Sequence, residues 1–331
     1  MITRIENRMV VIPIGEMEGV GGNRFERWMD AMNRKMVEDD VSLRCVWLII
    51  PGFGPPHVNK KIKWLKKNVE IVRRTIPKSW FLWIFVAQFS SDATPYLEDM
   101  GNYPEVDRTV WMIRSKSPSY IGGFLREEMR SSLVDPRTVE GVLVLLDDVE
   151  LEESVDVGKL LRMVRMEDLD VISPVLSRKS ASCHWFMHNQ YVLNKPVFRR
   201  TNFVELFLYV FSPRGYQKWY SLLQPFTVFL WGVDMVMYHQ KFRMGIFENM
   251  SIIHHFSSKA ESNPNYGKMG SELSRYTKVF SEHIAFRFET LWVYAQPFLK
   301  YHPNKNLPNL HPSILKRRYT IDSPPPHWLS F

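Results

Sequence analysis

The chain has 331 residues, is 45% hydrophobic and 24% charged, and has a formal net charge of +8, as expected for a globular protein with one large or two modest domains. The positive excess is modest for this length and suits any anionic ligand, so it does not by itself indicate nucleic-acid binding. The two cysteines form no disulfide framework and no zinc pattern, and no stretch reaches the ~18 apolar residues of a membrane-spanning helix.

The N-terminus lacks the apolar core of a signal peptide. Together with the two isolated thiols, this absence leads us to expect a soluble protein of a reducing, cytoplasmic compartment.

Strand and helix patterns alternate through the first 180 residues. Apolar runs that predict strands lie at 9–14, 44–50, 80–89, 109–113, 142–146 and 170–176. Helical patterns lie at 24–38, 58–76, 118–133 and 157–169. This alternation predicts an α/β fold with a central, mainly parallel sheet flanked by helices. In the helix at 58–76, apolar residues recur at steps of three and four, which predicts lysines on the solvent side.

The pattern changes after residue 180. The run 202–211 is either a strand or a buried helix, because periodicity does not distinguish the two. Helices are predicted at 212–223, at 229–241 and within 271–295, and the ordered pattern of 244–256 lies between the last two. A proline-rich, basic tail follows from Pro303 and predicts an extended arm. We therefore expect one domain at 1–256 and a C-terminal helix with a tail at 257–331.

The apolar run at 142–146 ends abruptly in three acids, Asp147, Asp148 and Glu150. Ligands collect at the carboxyl ends of strands in open parallel sheets, and clustered carboxylates there suit Mg²⁺ or Mn²⁺ together with a phosphate ligand. The alternative is a strand-to-helix loop whose acids cap the next helix or pair with lysines.

Two later residues are further candidates. Asp234 is the single acid of an aromatic and apolar segment, which suits a general base or a metal ligand, although a salt-bridged structural acid fits the segment equally well. His254 ends an apolar run and is either a hydrogen-bonded core residue or a member of a metal site.

Several short blocks occur in a fixed order: Leu-Leu-Asp-Asp-Val at 145–149, Thr-Asn-Phe-Val-Glu at 201–205, Trp-Gly-Val-Asp at 231–234 and Ile-His at 253–254. In this order they resemble a family whose plant members are labelled "lysine-ketoglutarate reductase trans-splicing related", which is itself similar to the GT-A glycosyltransferases. The resemblance spans about residues 44–256, so that residues 1–43 and the tail lie outside it.

The resemblance implies a GT-A-like fold and a hexosyl- or pentosyltransferase, which moves a sugar from a UDP- or GDP-type donor to a glycan or other hydroxyl acceptor. It implies Mn²⁺ or Mg²⁺ at a DXD-like motif, with Asp148, Glu150 and His254 as ligands. This chain has Leu146 where the family pattern has an earlier acid. Neither a nucleic-acid partner nor a membrane-spanning segment is expected.

The resemblance also implies roles for other residues. Asp234 falls on the base that deprotonates the acceptor hydroxyl. The implied donor-binding residues are Pro51, Gly52, Gly54, Asp92 and Asp147, and the basic side chains of Lys116 and Arg126 are expected to meet the charge of the donor. Aromatic faces suit sugar rings, so Trp185 and Trp231, together with Asn202, are the expected acceptor-binding residues. Such a transfer needs a neutralised diphosphate, an activated acceptor oxygen and an active site that excludes water.

Two alternatives remain open on the sequence. Clustered aspartates with a late Asp and His also fit a metal-dependent phosphoesterase or nuclease. A catalytically inactive module that binds sugars or nucleotides is the other alternative, and Leu146 is the residue that favours it.

Overall fold

A computed structural model describes twelve stretches of the chain. They are residues 11–13, 44–55, 57–88, 108–114, 121–180, 187, 196–255, 266–280, 287–288, 290–295, 299–301 and 319–320. The helix predicted at 24–38 and nearly all of the proline-rich tail lie outside these residues.

A 12-stranded sheet dominates the described part of the chain. Its strands are β1 (Val11–Pro13), β2 (Cys45–Phe53), β3 (Phe81–Gln88), β4 (Thr109–Arg114), β5 (Val139–Leu145), β6 (Val149–Leu151), β7 (Val171–Leu176), β8 (Pro196–Thr201), β9 (Leu208–Phe211), β10 (Met244–His254), β12 (Thr290–Ala295) and β13 (Leu299–Tyr301). The strand order is β1-β4-β3-β2-β5-β9-β7-β10-β8-β12-β13, with β6 paired to β10. A separate pair joins β11 (Arg287–Phe288) to β14 (Tyr319–Thr320).

The strands that end next to Gly54, Asp147 and His254 run in one direction. Strands β1 to β5 pair in parallel, and β7 pairs in parallel with β10. Strand β9 is antiparallel to both β5 and β7, so β2, β5, β7 and β10 all end at the same edge of the sheet. The predicted α/β fold with a mostly parallel central sheet is confirmed, and the antiparallel strands make the sheet mixed.

Six helices accompany the sheet in the described ranges: α1 (Val58–Thr75), α2 (Ile121–Glu127), α3 (Val157–Met166), α4 (Pro213–Tyr220), α5 (Val233–His239) and α6 (Tyr266–Val279). Side chains 142–145 of β5 are fully buried, as in a strand covered on both faces. None of the helices in these ranges is both long and apolar enough to cross a membrane.

Helix α1 has the predicted apolar side, with Leu65, Val69 and Val72 buried. Lys60 and Lys63 are exposed, as predicted for the solvent side, whereas Lys61 is buried together with Asn68. Asn68 donates to Val149 O at 2.8 Å and accepts from Leu151 N at 2.8 Å, so its amide completes the hydrogen bonding of β6.

The structure decides two further points. The ambiguous run 202–211 contains the strand β9, and the helix predicted within 271–295 is α6, which begins earlier, at Tyr266, and ends at Val279. The residues Thr290–Ala295 form strand β12 and pair with β8. This segment is rich in aromatic and β-branched side chains, which favour a strand over a helix.

Candidate active site

The loop after β2 and the turn after β5 are tied together at the carboxyl edge of the sheet. Asp147 Oδ2 accepts from Lys61 Nζ at 2.7 Å and from the Gly54 backbone N–H at 3.1 Å. Lys61 Nζ also donates to Gly54 O at 2.8 Å. One ammonium group and one carboxylate therefore connect α1, the β2 loop and the β5 turn.

The sequence explains the shape of the β2 loop. The register between β2 and β3 shifts after Ile50 and resumes at Phe53, so the irregularity falls on Pro51 and Gly52. Proline has no N–H for a ladder hydrogen bond, and glycine tolerates the bend. This local break brings Gly54 to Asp147.

Asp147 is largely buried, and its charge is strongly influenced by its surroundings. Burial raises the pKa of Asp147 to about 6, and the charge of Asp148 acts in the same direction. Lys61 and the Gly54 N–H act in the opposite direction because they stabilise the carboxylate. The Lys61 ammonium and the Gly54 N–H are therefore the groups that favour the ionised form of this buried carboxyl.

Asp148 lies next to His254. Their Oδ2 and Nε2 atoms are 3.4 Å apart, and Asp148 Oδ1 is buried without a hydrogen-bond partner. Antiparallel pairing of β6 with the end of β10 sets Val149 opposite His254, and His255 N donates to Asp148 O at 2.9 Å. The ring of Phe207 covers the imidazole at a centroid distance of 4.4 Å.

This pair fits a divalent cation. A carboxylate oxygen that lacks a partner and a nearby imidazole nitrogen supply two ligand atoms, and Mg²⁺ or Mn²⁺ commonly takes its other ligands from water and substrate phosphates. No group of three or more His, Cys, Asp or Glu side chains arranged to hold a metal ion occurs within the described stretches.

Glu150 lies with a different set of residues. Its carboxylate accepts from Lys67 Nζ at 2.6 Å and contacts His255 Nε2 at 2.8 Å, while the His255 ring stacks on Trp64 at a centroid distance of 3.9 Å. Burial acts to raise the pKa of Glu150, but hydrogen bonds from Lys67 and His255 outweigh it and leave the pKa below its usual value. The structure does not bring Glu150 to Asp148. Asp148 lies in the turn before β6 and contacts His254, whereas Glu150 lies within β6 and contacts His255. The two histidines are consecutive residues, and consecutive side chains of a strand point to opposite faces.

Asp234 lies in the first turn of α5, and its Oδ1 accepts from Met235 N at 2.8 Å. Burial raises the pKa of Tyr209 well above its usual value, and the charges of Asp234 and Glu205 contribute to the shift. These two acids therefore lie close to Tyr209, near the start of β9. That start is at the carboxyl edge, because Leu208 pairs with Leu145.

The loop before α5 presents an aromatic ring to solvent. Trp231 is 38% exposed, whereas the neighbouring Leu230 and Val233 are buried. An exposed indole is suited to packing against the apolar face of a ligand ring. Trp231 lies on the loop before α5 and Asp234 in the first turn of that helix.

Two predicted site residues lie elsewhere. Asn202 is buried and follows Thr201, which pairs with Met244, the first residue of β10. It therefore lies toward the edge opposite His254. Arg126 donates through Nη1 to Gln224 O at 2.9 Å and Pro225 O at 2.7 Å, so its guanidinium holds a loop rather than the acidic turn of residues 147–150, called the acid turn below. Asp92, Lys116 and Trp185 lie outside the described residues.

The sequence patterns did not single out Lys61 and Asn68. They are seven residues apart and share one stripe of α1 with Leu65 and Val72, all of them buried. Polar residues at helical spacing within an apolar stripe are the signal that identifies them.

The chain was compared with known proteins. No protein-family model matches it, and no curated protein matches it in sequence. The resemblance to the family with the trans-splicing label therefore stays a prediction.

Solved structures show distant similarity. The S. aureus TarS 1–349 complex with UDP-GlcNAc is 10% identical, covering 72% of this chain and 65% of that chain at a TM-score of 0.43. GalNAc-T7 with UDP, GalNAc and Mn²⁺ is 10% identical, covering 73% of this chain and 49% of that chain at a TM-score of 0.49. HddC from Yersinia pseudotuberculosis is 13% identical, covering 69% and 98% at a TM-score of 0.39.

The chain thus spans less than two thirds of the TarS structure and about half of the GalNAc-T7 structure. At these identities and TM-scores, the similarity does not assign a function to the chain.

Proposed function

We propose that the chain is a glycosyltransferase that moves a sugar from a UDP- or GDP-type donor to a hydroxyl of a glycan acceptor. The observation that carries the proposal is the Asp148–His254 pair, whose buried Oδ1 has no partner, at the edge where β2, β5 and β10 end. The carboxyl edge of an open, mostly parallel sheet is where phosphate-bearing ligands bind in such folds.

The donor half of the site consists of the β2 loop and the acid turn. Gly54 and Asp147 shape the loop, and Asp148 with His254 would hold Mn²⁺ or Mg²⁺. A bound cation of this kind neutralises the charge that develops on the leaving diphosphate. Lys61 balances the charge of Asp147, so the two aspartates have different roles.

The acceptor half consists of Trp231 and Asp234. The bond between the anomeric carbon and the diphosphate oxygen breaks, and its electron pair leaves with the diphosphate. The acceptor oxygen bonds to the anomeric carbon and loses its proton to the Asp234 carboxylate, which acts as general base. Trp231 packs against the acceptor sugar and keeps water from that side.

Binding of UDP and GDP to the full chain, measured by calorimetry with and without Mn²⁺, tests the proposal. We expect one of the two to bind, to bind more tightly with Mn²⁺, and to lose at least about tenfold in affinity in Asp148→Ala. Glu153→Ala removes an exposed carboxylate of the same acidic run and is the matched control, with wild-type affinity expected.

The opposite results are equally clear. If neither nucleotide nor any sugar nucleotide binds, the proposal is wrong. Hydrolysis of a generic phosphodiester by the wild-type chain, abolished by Asp148→Ala, would instead identify a metal-dependent phosphoesterase.

A further inference from the structure

The loop of residues 224–232, called the 224–232 loop below, is held by a buried carboxylate from α6. Glu272 Oε2 accepts from the backbone N–H groups of Val228 at 3.1 Å and Phe229 at 2.9 Å. Glu272 is 3% exposed, so these are water-shielded hydrogen bonds to a charged acceptor. Hydrogen bonds of this kind are stronger than those between neutral groups.

Two more residues of α6 contact the same loop. The hydroxyl of Tyr276 hydrogen-bonds with Thr227 Oγ1, which also accepts from Gln224 N at 2.8 Å. Gly232 has a φ of +96°, and a Cβ added there would lie 2.8 Å from Leu273 Cδ1. The loop therefore packs on α6 at both of its ends as well as in its middle.

Helix α2 holds the loop from another side. Gly122 N donates to Val228 O at 2.8 Å. The carbonyl of Val228 is therefore bound by the backbone of α2, and its N–H by the Glu272 side chain of α6. Arg126 Nη1 binds the carbonyls of Gln224 and Pro225. The loop has little freedom left, because its polar backbone groups are paired with two separate helices.

The Glu272 carboxylate faces the N–H groups of several consecutive loop residues. Burial raises the pKa of Glu272 above its usual value, whereas the N–H groups of residues 228–231 favour the charged form. A buried carboxylate that accepts from these N–H groups therefore fixes the backbone of residues 228–231 in one place.

The 224–232 loop positions Trp231 and Asp234, the two residues of the proposed acceptor half. Trp231 belongs to the loop, and Asp234 follows it by two residues, in the first turn of α5. A loop held at Val228 and Phe229 therefore fixes where the indole and the carboxylate lie.

We propose that Glu272 is a positioning residue, which sets the location of Asp234 and Trp231 for the acceptor through the 224–232 loop. The inference rests on the proposed transferase function. It assigns part of the acceptor site to α6, which lies outside the segment 44–256 that carries the family resemblance.

Hydrogen exchange of the amides in 226–234, followed by mass spectrometry on the full chain, tests the contact directly. In Glu272→Ala we expect exchange at Val228 and Phe229 to be faster by at least about tenfold, with α1 and β5 unchanged. Glu272→Gln keeps an oxygen acceptor and is expected to restore most of the protection. Lys278→Ala changes an exposed residue of the same helix and is the control.

Kinetics provide the second measurement. We expect kcat for transfer to fall by about tenfold or more in Glu272→Ala and to recover in Glu272→Gln, while the donor Kd stays at the wild-type value. If Glu272→Ala does not fold, Tyr276→Phe removes a hydroxyl from the same contact surface, and faster exchange at Thr227 is then expected.

Wild-type exchange rates at 228–229 in a folded Glu272→Ala chain would overturn the inference, as would unchanged kcat. A wild-type chain without transfer activity would contradict the proposed function instead, and the exchange rates would still decide whether Glu272 fixes the loop.

Discussion

The acid turn at 147–150 and the 224–232 loop form the two halves of the candidate site, and they are held in different ways. The acid turn is held by ion pairs of its own charged side chains, because Lys61 binds Asp147 and Lys67 binds Glu150. In the loop, backbone N–H and C=O groups are bound by α2 and α6, and Asp234 takes no part in those contacts.

Because of this difference, a substitution in the acid turn changes a candidate site residue and a structural contact together, whereas the two can be changed separately in the 224–232 loop. A change at Asp147 removes a candidate donor-site residue and an ion pair together, so stability and binding change at once. A change at Asp234 removes the candidate base and leaves the hydrogen bonds of Val228 and Phe229 to Glu272 in place. The contacts of Glu272 with Val228 and Phe229 can therefore be tested separately from the Asp234 carboxylate.

The largest effect is expected at Asp234. Asp234→Asn removes the proton acceptor and should lower transfer by about 10²- to 10⁴-fold, with donor affinity unchanged. Steady-state kinetics and calorimetry measure the two quantities. Asp168→Asn alters an exposed aspartate and is the control. If Asp234→Asn turns over at the wild-type rate, Asp234 is not the base, and the residues beside the 224–232 loop do not form the catalytic half of the site.

Removing the Lys61 ammonium group, which pairs with Asp147 in the acid turn, should mainly lower the stability of the protein. Lys61→Met leaves the Asp147 carboxylate largely buried without its partner, and we expect the free energy of unfolding to fall by about 3 kcal/mol in urea titrations. Lys63→Met, an exposed lysine of the same helix, should change it by less than about 0.5 kcal/mol. Equal losses in the two variants would show that the ion pair does not hold the turn.

The next largest effect is expected on stability, when the Asn68 side chain that hydrogen-bonds to β6 is removed. Asn68→Ala leaves Val149 O and Leu151 N without their side-chain partners, and we expect a loss of about 2 kcal/mol in the free energy of unfolding. Asn59→Ala, at an exposed position of α1, is the matched control. The comparison is sharpened if hydrogen exchange in Asn68→Ala rises at Leu151 and stays unchanged at 228–229.

The smallest effect concerns pH and Glu150. Its pKa in the folded chain is below the ordinary value of 4.5, so its contribution to stability is present above pH 4.5 and is lost as the pH falls through the lower, folded-state value. We expect Glu150→Gln to be less stable than wild type by about 0.5 kcal/mol at pH 7.

That difference should vanish in acid. Thermal unfolding at several pH values measures it, and Glu153→Gln, an exposed glutamate, is expected to show no such trend. A gap between Glu150→Gln and wild type that widens below pH 4.5 would contradict the assignment of Lys67 and His255 as its partners.

The sequence predicts the parts of the molecule that depend on local pattern. Strand β5 and the acids after it were recognisable because an uninterrupted aliphatic run followed by carboxylates has few alternative structures. The apolar side of α1 was predictable from its spacing for the same reason. The direction of the parallel strands followed from the alternation of strands and helices.

Contacts between distant segments were not predictable in this way. Glu150 was grouped with Asp148 because the two are near in sequence, yet Asp148 lies in the turn before β6 and contacts His254, whereas Glu150 lies within β6 and contacts His255. Arg126 was assigned to the donor because it is basic, whereas its partners are carbonyls 98 and 99 residues away. Glu272 lies in an ordinary helical pattern, and only the folded chain shows what its carboxylate contacts.

The pairing of β6 with the end of β10 determines which of two neighbouring histidines is the candidate metal ligand. His254 lies opposite Val149 and beside Asp148, while His255 reaches Glu150 and Trp64. Because side chains alternate along a strand, a shift of one residue in the register of β6 against β10 would change which of the two imidazoles lies beside Asp148. The register of this short strand pair, more than the chemistry of either histidine, therefore decides which ring meets the aspartate.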